Sequence, residues 1–188
     1  MDISKLICIF AKNKNNMKDL GYKVYNKHVA FWGSPLSNFY PCNFDLDNEI
    51  WISSEQFFMA CKARCFDDYD SYKKIRVATT PEQAKKLGRK VIGFEDRIWD
   101  KVKYQLMYDG VYAKFSQNED LKAFLLSPEF EDKDFVEGSP FDGVWGVKLD
   151  YRNPDIDNPE NWNGENLLGK VLNEVREKLK EDEKKDIK

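Results

Sequence analysis

The chain has 188 residues, a length typical of one domain, and 41% of them are hydrophobic, which is enough for one sizeable core. Its 30 basic and 33 acidic residues leave a net charge of -3, which excludes a general nucleic-acid coat protein because such proteins are strongly basic. The single histidine, His28, excludes an HExxH metal site and leaves any Ser-His-Asp or Cys-His catalysis dependent on that one residue.

Short β-type runs occupy the first fifty residues, and helical patterns follow them. Strands are predicted at residues 22–25, 29–32, 43–46 and 49–52, separated by turn residues. Capping patterns of the Ser/Thr-x-x-Gln/Glu type predict helices that begin after Ser53, Thr80 and Ser116, because these side chains satisfy free backbone N–H groups. The helix after Thr80 is predicted to end near Gly88, and the one after Ser116 before Pro128.

Two further helices are predicted from the spacing of apolar residues. One runs from about Asp96 to Phe115 and should be weakened or bent at Gly110. The other begins near Asn166 and runs into a charged segment, residues 181–188, that we expect to be frayed. With no repeat and no low-complexity linker, residues 1–188 are predicted to form one domain. The fold class is mainly α with a small N-terminal β portion, that is, α+β.

A long connection is predicted between residues 128 and 164. It is acidic and rich in Pro, Gly and Asn, and loops of this length in compact domains are usually functional or disordered. Its two tryptophans, Trp145 and Trp162, argue against disorder. We therefore expect an ordered loop that folds over a cleft.

Cysteine usage and hydropathy point to the cytosol. Four scattered cysteines, Cys8, Cys42, Cys61 and Cys65, do not form a secreted disulfide scaffold, and we expect reduced thiols. No apolar run approaches the ~20 residues of a membrane span, and residues 3–11 are too short for a secretory signal. The chain is predicted to be cytoplasmic, without membrane contact, metal or other cofactor.

Several polar residues could carry chemistry, and each has a plainer alternative. Glu55 lies in a predicted first helical turn, where a carboxylate is ordinary capping. Lys62 shares its helix face at a Cα distance of ~10 Å, which fits either a solvated ionic stripe or an acid and an amine on either side of a sugar carbon. Asp142 precedes glycine, a common turn pair, and Trp99 at a helix start is more often core than a stacking platform.

Charge is distributed unevenly along the chain. Residues 73–103 contain ten Lys or Arg against four acids, whereas residues 116–165 contain thirteen acids against four bases. The pattern is explained by two oppositely charged surfaces, or by a basic stretch that helps to hold a phosphate.

Six segments, taken together and in order, resemble the NADAR family (NAD- and ADP-ribose-associated), which includes the YbiA-like riboflavin-intermediate N-glycosidases. The resemblance covers about residues 30–180. The segments are Phe31-Trp32-Gly33 with Leu36-Ser37-Asn38-Phe39; Ser54-Glu55-Gln56-Phe57-Phe58-Met59-Ala60-Cys61-Lys62-Ala63; Ala84-Lys85-Lys86-Leu87-Gly88-Arg89; Trp99 with Met107 and Ala113-Lys114-Phe115; Val136-Glu137 with Asp142 and Trp145-Gly146; and Gly164-Glu165-Asn166-Leu167-Leu168-Gly169.

The resemblance implies a compact, mostly helical fold and an enzyme that hydrolyses the bond between ribose and a base. The implied substrate is ADP-ribose attached to guanine in nucleic acid, or a phosphorylated ribosylaminopyrimidine of riboflavin synthesis. Partners would be a small ribosyl or ADP-ribosyl molecule, with local contact to ADP-ribosylated nucleic acid as an option; the oligomeric state is left open. The implied catalytic residues are Glu55, Lys62 and Asp142, and the implied substrate-binding residues are Trp99, Glu137, Asn166, Trp145, Asn38 and Arg89.

The sequence departs from the family pattern at three places. Gln56 occupies a position that is usually His, and Cys61 one that is commonly Gln. The region after Gly146, often glycine-rich, reads Val147-Lys148-Leu149-Asp150 and is followed by a long insertion to Trp162. These departures bear on substrate choice more than on catalysis. The alternative from another class is a non-catalytic module that binds ADP-ribose or an NAD derivative; a purely structural helical protein is less favoured because the chain has no coiled-coil heptads.

Overall fold

The computed structural model describes residues 19–186, and most of these residues are helical. The strands are β1 (Tyr22–Val24), β2 (His28–Phe31), β3 (Phe44–Leu46), β4 (Glu49–Trp51) and β5 (Asp134–Glu137). The helices are α1 (Ser54–Cys65), α2 (Tyr69–Arg76), α3 (Pro81–Gly88), α4 (Asp96–Trp99), α5 (Lys103–Ser116), α6 (Glu119–Leu125) and α7 (Leu167–Asp186), with short 3-10 turns at Pro128–Phe130, Pro154–Asp157 and Pro159–Asn161. The predicted fold class, mainly helical with a small β portion, is confirmed.

Two small sheets hold the strands. Strands β3 and β4 form an antiparallel pair, while β2 lies between β1 and β5, antiparallel to the first and parallel to the second. Strand β5 lies within the segment predicted to be a loop, so that prediction was wrong for Asp134–Glu137. Both central residues, Phe135 and Val136, are fully buried, so the strand lacks the alternation that marks it in sequence. Its partner, β2, is far away along the chain.

Helix α1 is the central element, and it is buried along most of its length. It begins as predicted at Ser53, whose hydroxyl accepts a hydrogen bond from the N–H of Gln56 at 3.1 Å. The Gln56 amide also donates to the carbonyls of Ile75 at 3.0 Å and Ala78 at 3.2 Å, which ties α1 to the end of α2. Glutamine at this position therefore acts as a structural bridge.

Two predicted helices differ in the structure. The long helix predicted from Asp96 is two helices, α4 and α5, separated by turns at residues 100–102. Gly110 does not bend α5: a Cβ there would lie 2.6 Å from Phe57 Cδ1, so glycine allows α5 to approach α1 closely. Ser116 ends α5 instead of capping α6, which begins after Asn118 without a side-chain cap.

The charged end of α7 is helical through Asp186. Residues 187–188, the last of the segment expected to be frayed, lie outside the described residues. Tyr112 of α5 donates a hydrogen bond to Asp182 at 2.9 Å, and Lys122 of α6 pairs with Glu183 at 3.0 Å. These contacts hold the last described turns of α7 against the neighbouring helices.

The three-stranded sheet separates two hydrophobic clusters. The main core lies between the helices and one face, where Phe31 and Phe135 are buried. A second cluster, on the other face, contains Ala30, Val136, Val147, Tyr151 and Ile156. The segment from residue 147 to 162, which includes the insertion noted above, therefore folds against the sheet face opposite α1.

Helices in residues 19–186 are all too short or too polar to cross a bilayer. Within that part of the chain, Cys42, Cys61 and Cys65 are free thiols. Cys8 and the apolar stretch at residues 3–11 lie outside the described residues.

Candidate active site

Glu55 projects from the first turn of α1, on the face that also carries Phe58 and Lys62. Its backbone N–H donates to the carbonyl oxygen of Asn38 at 3.1 Å, which joins the start of the helix to the preceding loop. The residue is only 5% exposed, and its Oε1 has no hydrogen-bond partner. A buried polar atom without a partner costs about 1–3 kcal/mol, so this carboxyl is more than a helix cap.

Glu137, at the end of β5, provides a second buried carboxyl oxygen. Part of the residue reaches solvent, but Oε2 is buried and has no partner. Its N–H donates to Asn166 Oδ1 at 3.0 Å, and Asn166 Nδ2 donates to the Phe135 carbonyl at 3.0 Å. The side chain of Asn166 thus binds the backbone of β5 as a neighbouring strand would. Its place is beside Glu137, and both its polar atoms are used there.

Electrostatic interactions connect three carboxyl groups into one cluster. Burial raises the pKa of Glu55 to about 7, Lys85 and Arg89 oppose the shift, and Asp142 adds to it. Burial also raises the pKa of Glu137 to about 8, with Asp142 again adding and Lys85 opposing. Carboxyl groups that titrate near neutral pH can both give and take protons, which is what general acid–base catalysis needs.

Asp142 fixes the turn that follows β5. Its Oδ1 accepts hydrogen bonds from the backbone N–H groups of Val144 at 2.9 Å and Trp145 at 2.8 Å. The turn directs the Trp145 ring edge-on to Phe58, with a centroid distance of 5.2 Å. Trp99 packs against Phe58 as well, at 4.9 Å, and is 7% exposed. Phe58 therefore joins the two predicted tryptophans into one aromatic wall beside Glu55.

Lys62 lies at the far end of the same helix face. Its Nζ is 3.8 Å from the centroid of the Phe94 ring, and within residues 19–186 it makes no hydrogen bond or ion pair. Burial lowers the pKa of Lys62, and Asp96 partly opposes the shift. A lysine in this setting loses its proton more readily than one in water, which is a requirement for a nucleophilic amine.

Asn38 borders the cluster through the loop before α1. Its Nδ2 contacts Met107 Sδ at 3.0 Å, while its Oδ1 is buried without a partner. Lys114, fully buried, donates to the carbonyls of Pro35 at 2.7 Å and Ser37 at 2.8 Å and so fixes this loop. The Asn38 amide is thereby held in place with an unused acceptor.

The structure thus brings most of the predicted residues together. Glu55, Glu137 and Asp142 form the acidic cluster, with Arg89 on its exposed side, and Asn38 and Asn166 border it. Lys62 lies over Phe94, apart from the carboxylates. Three contributors were missed: Lys85, Phe58 and Lys114. Lys85 of α3 lies four residues before Arg89, which directly follows the helix, and the sequence displays this spacing.

No group of three or more His, Cys, Asp or Glu in the described part of the chain is arranged to hold a metal ion. An open depression of about 310 Å³ lies elsewhere and contains none of the predicted site residues; it is lined by Asp19, Leu20, Gly21, Trp32, Gly33, Tyr151 and Arg152.

Comparison with known proteins gives consistent matches. The model of the NADAR domain matches residues 24–180. An N-glycosidase of Acanthamoeba polyphaga mimivirus is 43% identical over 166 residues, which cover 81% of this chain and 96% of that protein. A riboflavin biosynthesis protein of Vibrio vulnificus is 33% identical over 78% of this chain, but the match covers only 35% of that protein. The NMR structure of the Escherichia coli protein YbiA, 27% identical, has a TM-score of 0.68 and covers 88% of this chain and 92% of its own.

Proposed function

This chain belongs to the NADAR domain family and is an N-glycosidase, and we propose that its substrate is a phosphorylated ribose joined to the amino group of a base. The observation that carries the proposal is the pair of buried carboxyl oxygens, Glu55 Oε1 and Glu137 Oε2, which have no partner. A ribose can supply hydroxyl donors to such oxygens, and the raised pKa values suit the transfer of a proton to a leaving amine.

Two substrates share this chemistry: ADP-ribose on guanine in nucleic acid, and the phosphorylated ribosylaminopyrimidine of riboflavin synthesis. Both carry a ribose linked to an amine, and both carry phosphate. In this proposal Lys85 and Arg89, whose charges act on Glu55, pair with the phosphate oxygens of the substrate. The Vibrio vulnificus relative favours the riboflavin intermediate. Residues 73–103, with ten bases against four acids, favour the more highly charged of the two substrates, ADP-ribose on nucleic acid.

In the proposed mechanism the linking nitrogen first opens the ribose ring to an imine. The neutral amine of Lys62 adds to the anomeric carbon, and the base amine leaves with a proton from Glu55, so that a lysine imine replaces the base imine. Water then adds to the same carbon, the lysine amine departs, and the released aldehyde closes again to ribose. The net change is one water consumed, one C–N bond broken and one C–O bond formed.

The remaining residues position the substrate in this proposal. Asp142 and Glu137 orient the ribose hydroxyls or the attacking water, Asn38 accepts a hydrogen bond through Oδ1, and Trp99 and Trp145 lie beside the base. Asn166 positions Glu137 through the β5 backbone. A module that only binds ADP-ribose is disfavoured, because the mimivirus relative, which the match covers over 96% of its length, is an N-glycosidase.

The test is mass spectrometry of two parallel reactions with the wild type, Lys62→Ala and the exposed control Lys90→Ala. One reaction contains an oligonucleotide with ADP-ribosyl guanine, the other the ribosylaminopyrimidine phosphate. Release of ADP-ribose or of ribose phosphate identifies the substrate, and we expect Lys62→Ala to lose at least ~100-fold in rate while Lys90→Ala keeps it.

Borohydride added during turnover should trap a covalent ribosyl adduct at Lys62. Full turnover without any trapped adduct would replace the imine route by direct hydrolysis. Turnover of neither substrate would overturn the substrate proposal.

A further inference from the structure

Lys62 occupies an unusual environment for a lysine on a helix. The ammonium group is strongly hydrated in most proteins, yet here the side chain is half-buried and its nearest described partner is a ring face, that of Phe94. The distance of 3.8 Å from Nζ to the ring centroid lies well inside the ~6 Å range of a cation–π contact. The ring therefore covers one side of the amine.

Phe94 itself is held in a fixed orientation although it is not part of the core. It lies in the loop between α3 and α4 and is 37% exposed. Its ring packs edge-on against Phe66, just after α1, with a centroid distance of 5.3 Å. Gly93, with φ of 75°, provides the left-handed turn before it. One ring face is thereby free to meet the side chain of Lys62.

Few charged groups act on this amine. Asp96, at the start of α4, is the carboxylate that faces it. Several charged residues on α1 and on the elements around it are engaged elsewhere. Arg64 of α1 pairs with Asp47, Arg76 of α2 with Glu49 of β4, and Arg97 of α4 with Glu95. Lys85 of α3 and the following Arg89 act on Glu55, and Asp109 of α5 acts on Cys61. The aromatic ring is thus the main neighbour that can control the protonation state of the Lys62 amine.

We propose that Phe94 is a positioning residue for Lys62: its ring face fixes the amine in place and shields it from water. The inference rests on the role of Lys62 in the proposed function. Two opposing effects are involved. Attraction to the ring face favours the ammonium form, whereas removal of water favours the neutral amine. Burial lowers the pKa of Lys62, so we expect the loss of water to outweigh the attraction to the ring.

The test compares Phe94→Ala, Phe94→Leu and the exposed apolar control Val77→Ala. Trinitrobenzenesulfonate labels neutral amines, so peptide mass spectrometry of labelling between about pH 6 and pH 10 gives the titration of Lys62 without any substrate. In Phe94→Ala, water reaches the amine and the midpoint should rise by about one pH unit. In Phe94→Leu, which keeps apolar bulk but lacks the ring face, it should equal or fall below that of the wild type.

Activity provides the second readout. The acidic limb of the kcat/KM profile should move with the titration of Lys62, so Phe94→Ala should be slow near neutral pH and recover at higher pH. An unchanged Lys62 midpoint in Phe94→Ala, or a rise in Phe94→Leu equal to that in Phe94→Ala, would overturn the role of Phe94. A midpoint that moves without any change in the kcat/KM profile would instead overturn the role of Lys62 in the proposed function.

Discussion

At the scale of single residues, the acidic cluster opposes stability. Glu55 and Glu137 each have a buried oxygen without a partner, and both must be desolvated as the chain folds. Protein interiors rarely contain such groups without a functional reason. The free-energy cost of keeping these carboxyls is therefore a signature of the site that can be measured.

Replacing either carboxyl by its amide should stabilise the protein at alkaline pH. Because the folded-state pKa is raised, the carboxyl's contribution to the free energy of unfolding is fully present below pH 4.5. It is lost as the pH rises through the pKa of about 7 for Glu55 and about 8 for Glu137. Glu55→Gln and Glu137→Gln remove this titration. Urea unfolding at about pH 8 should show a gain on the order of 2 kcal/mol, which disappears at about pH 4.

The exposed Glu119→Gln is the matched control, since Glu119 lies in the first turn of α6, away from the acidic cluster. It should leave the slope of stability against pH unchanged. If Glu119→Gln flattened that slope as much as the two buried substitutions, the origin of the effect in burial would be refuted.

Sequence reasoning reached these residues to different degrees. The capping pattern at Ser53 placed Glu55 in a first helical turn because caps are local interactions. Glu137 was assigned only through the family resemblance, since no local pattern indicates that it meets Glu55. Lys85 was missed because its effect on both carboxyls depends on how α3 packs against α1.

At the scale of elements, strands and helices with a local sequence pattern were predicted, whereas features that depend on long-range contacts were missed. Strands β1 to β4 lie within one residue of their predicted bounds, and α1 and α3 begin at their predicted caps. Strand β5 was missed because it depends on pairing with β2. The break between α4 and α5 was missed because the apolar stripe continues across it.

A close approach of α7 to β5 predicts that Gly169→Ala is destabilising. Alanine in place of glycine inside a helix is normally stabilising by about 1 kcal/mol. Here the added Cβ would lie 2.1 Å from the Phe135 carbonyl oxygen and 2.4 Å from Asn166 Nδ2. We expect a net loss of about 1–3 kcal/mol in thermal or urea unfolding. Activity should fall too, because Asn166 positions Glu137.

Lys170→Ala, at the exposed neighbouring position on α7, is the control and should keep both stability and activity. A stabilised Gly169→Ala protein with normal turnover would contradict the tight packing of α7 on β5.

At the scale of the whole molecule, the sheet joins two clusters of unequal size. The segment from residue 147 to 162 is bonded to the end of β5, since Val147 N–H donates to the Glu137 carbonyl and Tyr151 N–H to that of Gly138, both at 3.1 Å. Its far end is fixed to β2 through Asp157, which accepts from His28 Nδ1 at 3.0 Å. The segment therefore supports Glu137 from the sheet face opposite α1.

Asp157→Ala should loosen this second cluster while the main core stays folded. Asp157 Oδ1 also accepts hydrogen bonds from the backbone N–H groups of Lys27 at 3.0 Å and His28 at 3.1 Å. Its removal leaves the half-buried His28 N–H without a partner, which costs about 1–3 kcal/mol. Hydrogen exchange followed by mass spectrometry should quicken in residues 147–162 and β2, with α1 and α5 still protected. Asp155→Ala, two residues earlier and exposed, should exchange like the wild type. Uniform acceleration in all helices would mean that the two clusters unfold as one unit, which the separation by the sheet argues against.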